Sequence, residues 1–203
     1  MKLKQTKDGL PMHLGTGPYR RIHKNLEIRP SKVAGTGLYV INEPMAPGTV
    51  ILYLPGDHPK YTWKEIQEFS PEEQDFFTHI SAQIDDDLFE GGKSQRDLED
   101  DYSYFWNHSC DPNCWFINDE VMVARRAIQV DEELSYDYII SEEQRSLDLK
   151  GFTGNKCLCK ASTCRGTVKA LSKDDDELIE KYNGHLYGHI QRKVDLWKAQ
   201  KES

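Results

Sequence analysis

Three cysteines inside eight residues, Cys157, Cys159 and Cys164, constrain this chain more than any other feature of its sequence. Their C-x-C-x4-C spacing is too tight for a distributed disulfide framework, and the total of five cysteines is odd. Adjacent thiols in a chain with no visible export signal read as metal ligands in a reducing compartment. Three thiolates make three corners of a tetrahedral zinc site, and a structural site needs a fourth. Cys110 and Cys114 are the remaining sources. Either one ties the C-terminal segment back onto a loop more than forty residues earlier.

That loop is unusual in itself. Asn107-His108-Ser109-Cys110-Asp111-Pro112-Asn113-Cys114 is an unbroken run of polar, turn-forming or ligand-capable residues, bounded by Phe105-Trp106 and Trp115-Phe116. Packing alone gives no reason for such a run; the competing reading is a buried turn whose Asn and His are satisfied by backbone. Downstream, Glu132-Glu133-Leu134-Ser135-Tyr136-Asp137-Tyr138 alternates so that a strand puts Tyr136 and Tyr138 on one face. Two half-buried strand tyrosines are the plainer alternative. Upstream, Gly35-Thr36-Gly37 lets backbone approach a ligand closely, although a turn between strands also wants glycine. Gly15-Thr16-Gly17 precedes a proline with no strand before it and reads as loop.

The charge balance narrows the partners. The 203 residues carry 26 Lys/Arg against 34 Asp/Glu, yet residues 1–32 alone hold a local +6, which leaves −14 on the rest. An acidic body suits a basic protein or peptide and disfavours nucleic acid, except through the N-terminal arm. The longest apolar run, Val50–Leu54, is far too short to span a bilayer. An intracellular protein, cytoplasmic or nuclear, is expected.

Periodicity gives strands around Leu26–Ile28, 38–41, 49–54, 115–117, 120–128 and 134–140. Thr62 and Ser70 open helices, the second with Pro71 at its first position and Glu73 in capping-box register. The acid-rich stretch 85–101, centred on Gly91-Gly92, reads as an exposed hairpin or loop. The last thirty residues are helical with a break at Gly184. Many short strands with helices at the margins make a β-rich α+β fold. His185 and His189 stand four apart but lack a third ligand, so a metal role there is set aside.

Taken in order, these motifs resemble the SET-domain protein-lysine methyltransferases. Gly35/Gly37 is similar to that family's first motif, Asn107-His108-Ser109-Cys110-x-Pro112-Asn113 to its signature loop, and Glu133–Tyr138 to its last strand. Cys157-x-Cys159-x4-Cys164-Arg165-Gly166 resembles its post-SET zinc motif. The resemblance covers about residues 20–168, and the tail resembles small stand-alone members. The cysteine-rich pre-SET module is missing, Tyr104 and Trp106 stand where Arg and a β-branched residue are common, and Asp131 replaces a Gly.

The resemblance implies a SET-type β-clip with a pseudoknot, followed by a post-SET zinc segment and C-terminal helices. The local positive charge reads as a basic flexible arm over 1–19, and the resemblance implies a SET domain over 20–140 with a helical and acidic insert at 61–102. A post-SET segment over 141–168 and helices over 169–203 follow. S-adenosylmethionine is expected at Gly35, Thr36, Gly37, Leu38, Asn107, His108, Tyr138 and Leu158. Tyr138 and Tyr136 are the expected catalytic pair, and zinc is expected on Cys110, Cys157, Cys159 and Cys164. The expected reaction is methyl transfer to a lysine of a basic protein, mainly to the mono- and dimethyl states. A catalytically silent module that binds basic peptides is the alternative.

Overall fold

The computed structural model describes residues 21–54, 58–94, 104–152, 154 and 156–202. The basic arm, the Gly15-Thr16-Gly17 copy and residues 95–101 of the acidic stretch lie outside the described residues. The chain begins with strands β1 (Arg21–Ile22), β2 (Leu26–Pro30), β3 (Thr36–Val40), β4 (Val50–Tyr53) and β5 (Lys60–Tyr61). Helices α1 (Trp63–Ile66) and α2 (Pro71–Ile80) precede β6 (Ala82–Asp85) and β7 (Leu88–Glu90). Next come β8 (Asn107–His108), β9 (Cys114–Asn118), β10 (Val121–Ala124), β11 (Ser135–Tyr136) and a 3-10 turn over Tyr138–Ile140. Helices α3 (Gln144–Leu149), α4 (Asp176–Lys181) and α5 (Gly188–Glu202) complete a β-rich α+β fold. None of the helices among the described residues is long and apolar enough to cross a membrane.

The described residues fall into two units. The first takes those within 1–57, 100–136 and 158–163. It holds a four-stranded sheet in the order β1-β4-β10-β9, a β2-β3 hairpin and a β11-β8 pair. In the hairpin Leu26 faces Val40 and Ile28 faces Leu38, so the apolar alternation of the two strands coincides. Leu38, Val40, Ile51, Leu52, Met122, Ile128 and Leu134 are buried in this unit. The strand expected over 120–128 stops at Ala124; Ile128 instead makes an isolated bridge to Met45.

The second unit takes the described residues within 58–99, 137–157 and 164–203. Both sequence-read helix starts carry complete capping boxes, Thr62 with Glu65 and Ser70 with Glu73. Ile66, Phe77 and Phe89 form a core edged by Tyr61, Trp63, Phe69 and Leu149. The acidic hairpin is real, but it turns at Asp86-Asp87 between β6 and β7. Gly91-Gly92 is buried instead of central to a loop: a Cβ on Gly91 would crowd the Ser81 backbone and the Phe77 ring. The hairpin's carboxylates are paired within the unit, Asp85 with Arg192, Asp86 with Lys193 and Asp87 with Arg145.

The strand expected over 134–140 is only two residues long. Asp137 ends it, because its carboxylate accepts from the Ile139 amide at 3.3 Å and caps the 3-10 turn that starts at Tyr138. A short carboxylate competing for a nearby backbone N–H bends extended chain into a turn.

Candidate active site

The hairpin turn after β2 builds the first part of the site. Gly35 has φ +54°, the left-handed region, and closes the turn by accepting from the Ser31 amide at 2.9 Å. Gly37 is needed for a different reason: a Cβ there would run into the Glu133 carboxylate and the Asn107 amide. Asn107 donates both amide hydrogens, to the Thr36 carbonyl at 3.0 Å and to Glu133 Oε1 at 2.8 Å. With the nitrogen so held, its Oδ1 points away from both as an acceptor. The Leu38 side chain is buried, and its carbonyl takes the Leu134 amide at 2.7 Å.

Glu133 is the hub of this corner. It also accepts from Ser31 Oγ at 2.6 Å, Lys32 N at 3.2 Å and the Tyr39 hydroxyl at 2.8 Å. Burial and the neighbouring Glu133 carboxylate raise the Tyr39 phenol above its ordinary pKa, so it serves as a donor. Sequence reasoning gave Glu133 no task. Its signal was the pair of adjacent acids opening an otherwise strand-like motif.

The signature loop is tied to the last strand by a parallel ladder. Ser135 faces Asn107 and Tyr136 faces His108, with the Ser109 amide donating to the Tyr136 carbonyl at 3.0 Å. Asn113, buried, completes the tie. It donates to Glu132 Oε1 at 3.0 Å and the Glu133 carbonyl at 2.8 Å, and accepts from the Ser135 amide at 2.8 Å. Burial pushes the Glu132 carboxyl upward, but Arg126, Asn113 and the Gln129 amide outweigh it and hold that group below its ordinary pKa. The Tyr136 ring stands edge-on to Trp106 and Phe116, with centroids at 6.4 and 5.9 Å. A cavity of about 510 Å³ opens beside this corner, lined by Lys32, Ser109, Glu133, Ser135 and Cys159 among others.

In the second unit Tyr138 packs on Phe152 at 5.4 Å between ring centroids. Burial, with a smaller contribution from Glu142, pushes its phenol well above the ordinary range. Glu142 donates its amide to the Tyr138 carbonyl at 2.8 Å, and its carboxylate is held by Lys150 at 2.7 Å and by the Ser146 hydroxyl. Asp137, also fully buried, forms a two-point ion pair with Arg165 at 2.7 and 2.6 Å.

The Sγ atoms of Cys110, Cys157, Cys159 and Cys164 all lie within 4.8 Å of one another. Tetrahedral zinc with bonds of about 2.3 Å sets its sulfurs roughly 3.8 Å apart, so this donor set fits the metal. Spacing alone left Cys114 open as a fourth ligand. It begins β9 fully buried, its thiol donates to Asn113 Oδ1 at 3.3 Å, and burial pushes its pKa well up. The His108 imidazole Nε2 lies 3.4 Å from Cys110 Sγ. Leu158, between two of the cysteines, is half exposed. His185 precedes α5 and His189 lies within it, buried 3.8 Å from Glu143, so one helix does not carry both.

A family model described as "SET domain" matches residues 35–139. Histone-lysine N-methyltransferase ash1 of Drosophila melanogaster is 33% identical over 142 residues, covering 64% of this chain and 6% of that protein. Histone-lysine N-methyltransferase set-2 of Caenorhabditis elegans is 30% identical over 151 residues, 70% of this chain and 9% of that protein. Probable histone-lysine N-methyltransferase set-23 of Caenorhabditis briggsae is 41% identical over 69 residues, 30% of this chain and 26% of that protein. The chain thus spans less than a tenth of the length of the first two relatives.

Proposed function

This chain belongs to the SET-domain family, and from that membership we propose that it is a protein-lysine N-methyltransferase using S-adenosylmethionine. The observation that carries the reading is the parallel pairing of Asn107-His108 with Ser135-Tyr136, which joins two motifs 28 residues apart. Three relatives bear the words histone-lysine N-methyltransferase in their names, which supports a histone or another basic protein as substrate. A nuclear or cytoplasmic location accords with such a substrate. The pseudoknotted β-clip, the SET segment over 20–140 with its insert at 61–102, and the zinc segment over 141–168 belong to the same proposal.

Bound S-adenosylmethionine supplies a sulfonium methyl open to in-line attack. Backbone of Gly35, Thr36, Gly37 and Leu38, the Asn107 Oδ1, His108 and Leu158 are the groups assigned to hold it. An acceptor such as Asn107 Oδ1 suits the ammonium end of an amino acid. The incoming lysine must lose a proton, and its ordinary pKa of about 10.4 leaves only roughly one in two thousand neutral at pH 7. Dry aromatic surroundings disfavour the ammonium. Tyr138, kept neutral by its burial, orients methyl and amine with its hydroxyl. Alignment is then the main catalytic contribution. Zinc, held by Cys110, Cys157, Cys159 and Cys164, shapes the segment that carries Leu158 and does not enter the chemistry.

The test is to incubate the chain with labelled S-adenosylmethionine and core histones and map the label by mass spectrometry. Label on a lysine, lost in Tyr138→Phe, is expected. A chain that binds S-adenosylmethionine yet labels no lysine in histones or in a whole-cell lysate is a silent module.

A further inference from the structure

The C-terminal segment grips both ends of the turn that carries Tyr138. At the start of the turn, the Tyr182 hydroxyl donates to Asp137 Oδ2 at 2.8 Å. At its end, the Tyr187 amide donates to the Ile140 carbonyl at 2.8 Å. Tyr182 closes α4, and Tyr187 immediately precedes α5. Tyr182 and Asp137 are both 0% exposed, so no water competes for either group.

The chemistry of Asp137 makes that grip consequential. A fully buried carboxylate is tolerated only when it is paired and its lone pairs are filled. Arg165 fills two directions as a planar fork, Ile139 N–H fills a third on Oδ1, and Tyr182 fills a fourth on Oδ2. A fork alone constrains the carboxylate chiefly within its own plane. The phenol adds a constraint from another element. The carboxylate's orientation fixes the Ile139 amide it caps, and that amide follows Tyr138 in the chain. A phenylalanine would fill nearly the same space as Tyr182, so the hydroxyl itself is what needs a reason.

We infer that Tyr182 is a positioning residue for methyl transfer: acting through Asp137, it sets the orientation of the Tyr138 turn. This rests on the reading of Tyr138 as the catalytic tyrosine. The C-terminal helices are therefore part of the reacting apparatus and not an appendage to it.

The experiment compares the full chain with Tyr182→Phe and Tyr138→Phe, using labelled S-adenosylmethionine and the protein substrate that the parent chain labels. For Tyr182→Phe we expect kcat to fall about tenfold, since small misplacements of reacting groups cost rate steeply. KM for the protein substrate should stay within twofold, and calorimetry should still give one S-adenosylmethionine per chain with unchanged affinity. That stoichiometry separates slow catalysis from lost folded protein. A second variant, Arg165→Lys, keeps the charge but gives up the fork, and the same split is expected at unchanged zinc content. Parent-like kcat in Tyr182→Phe, beside an inactive Tyr138→Phe, overturns the inference while leaving the catalytic assignment standing. An active Tyr138→Phe overturns the catalytic assignment, and the inference with it.

Discussion

The side-chain amide of Asn107 is held by Glu133 at 2.8 Å, and Glu133 in turn collects donors from Ser31, Lys32 and Tyr39. An ionised carboxylate can accept from all four; an amide cannot. Glu133→Gln turns one acceptor oxygen into an NH2 group that faces donors. Leaving such groups unpaired costs about 1–3 kcal/mol. The expected result is an S-adenosylmethionine affinity weakened about tenfold by loss of the Asn107 orientation, with a lower melting temperature. Calorimetry measures the first, and unchanged affinity would remove Glu133 from the cofactor site.

The two glycines of the hairpin fail differently when changed to alanine. At Gly35 a Cβ meets open space but φ is +54°, so Gly35→Ala costs about 1–2 kcal/mol of backbone strain. At Gly37 the Cβ meets the Glu133 carboxylate and the Asn107 amide. Gly37→Ala therefore displaces both and should abolish methyl transfer, while Gly35→Ala keeps most of it at a lower melting temperature. Equal activities in the two variants would contradict this division.

Zinc should be present at one per chain. Cys159→Ser removes one of the four clustered sulfurs, and metal content by mass spectrometry should fall to near zero together with activity. Cys114→Ala touches a buried thiol outside that cluster. It should keep a full equivalent of zinc and lose only about 1 kcal/mol of stability from the missing sulfur. Zinc loss in Cys114→Ala with retention in Cys159→Ser would reverse the ligand set.

What the sequence revealed was whatever is decided locally. The capping boxes at Thr62 and Ser70 depend on residues three apart, and both formed as read. The strand expected to residue 140 stops early because alternation hides a capping aspartate: Tyr136 and Tyr138 are spaced as in a strand, yet Asp137 bends the chain between them. The Glu133 hub was invisible because its donors come from residues 31, 32, 39 and 107. Tyr182 reads from the sequence as part of an apolar helix face, but its bond to Asp137 was invisible for the same reason, the two lying 45 residues apart. Spacing could not choose between Cys110 and Cys114; a strand that buries one of them in a sheet could.

The pH dependence of methyl transfer follows from the direction of the Tyr138 shift. A phenol is neutral below its pKa, and burial moves that pKa up from its ordinary value of 10.0. The neutral, orienting form of Tyr138 therefore persists through the range in which substrate lysine loses its proton, near 10.4. With subsaturating protein substrate, the rate should climb about tenfold per pH unit from 7 towards 9.5 without a falling limb from Tyr138. A falling limb in the parent chain with an apparent pKa near 9 would mean that the phenol ionises early, against the upward shift that its burial imposes.

How many methyl groups are added turns on Tyr136. The parity argument for Tyr136 and Tyr138 lapses, because the strand ends at Tyr136 and Tyr138 opens a turn. Its surroundings supply a different argument. Trp106 and Phe116 meet the Tyr136 ring edge-on, and such aromatic pairs contribute about 0.5–1.5 kcal/mol beyond area burial. The ring is thus held by its sides, and a phenylalanine would sit in the same place. What Tyr136→Phe removes is the hydroxyl, which in this proposal keeps a water beside the lysine nitrogen and occupies the space that further methyls need. Holding that water is worth on the order of one hydrogen bond, ~1 kcal/mol or somewhat more, which shifts product ratios about five- to tenfold. The parent chain should therefore give mainly monomethyl-lysine with some dimethyl product, and Tyr136→Phe should move the distribution to di- and trimethyl-lysine at similar total turnover. Intact-peptide mass spectrometry over a time course reads both. Efficient trimethylation by the parent chain would show that the limit is set elsewhere, and loss of turnover in Tyr136→Phe would give the hydroxyl a catalytic task instead.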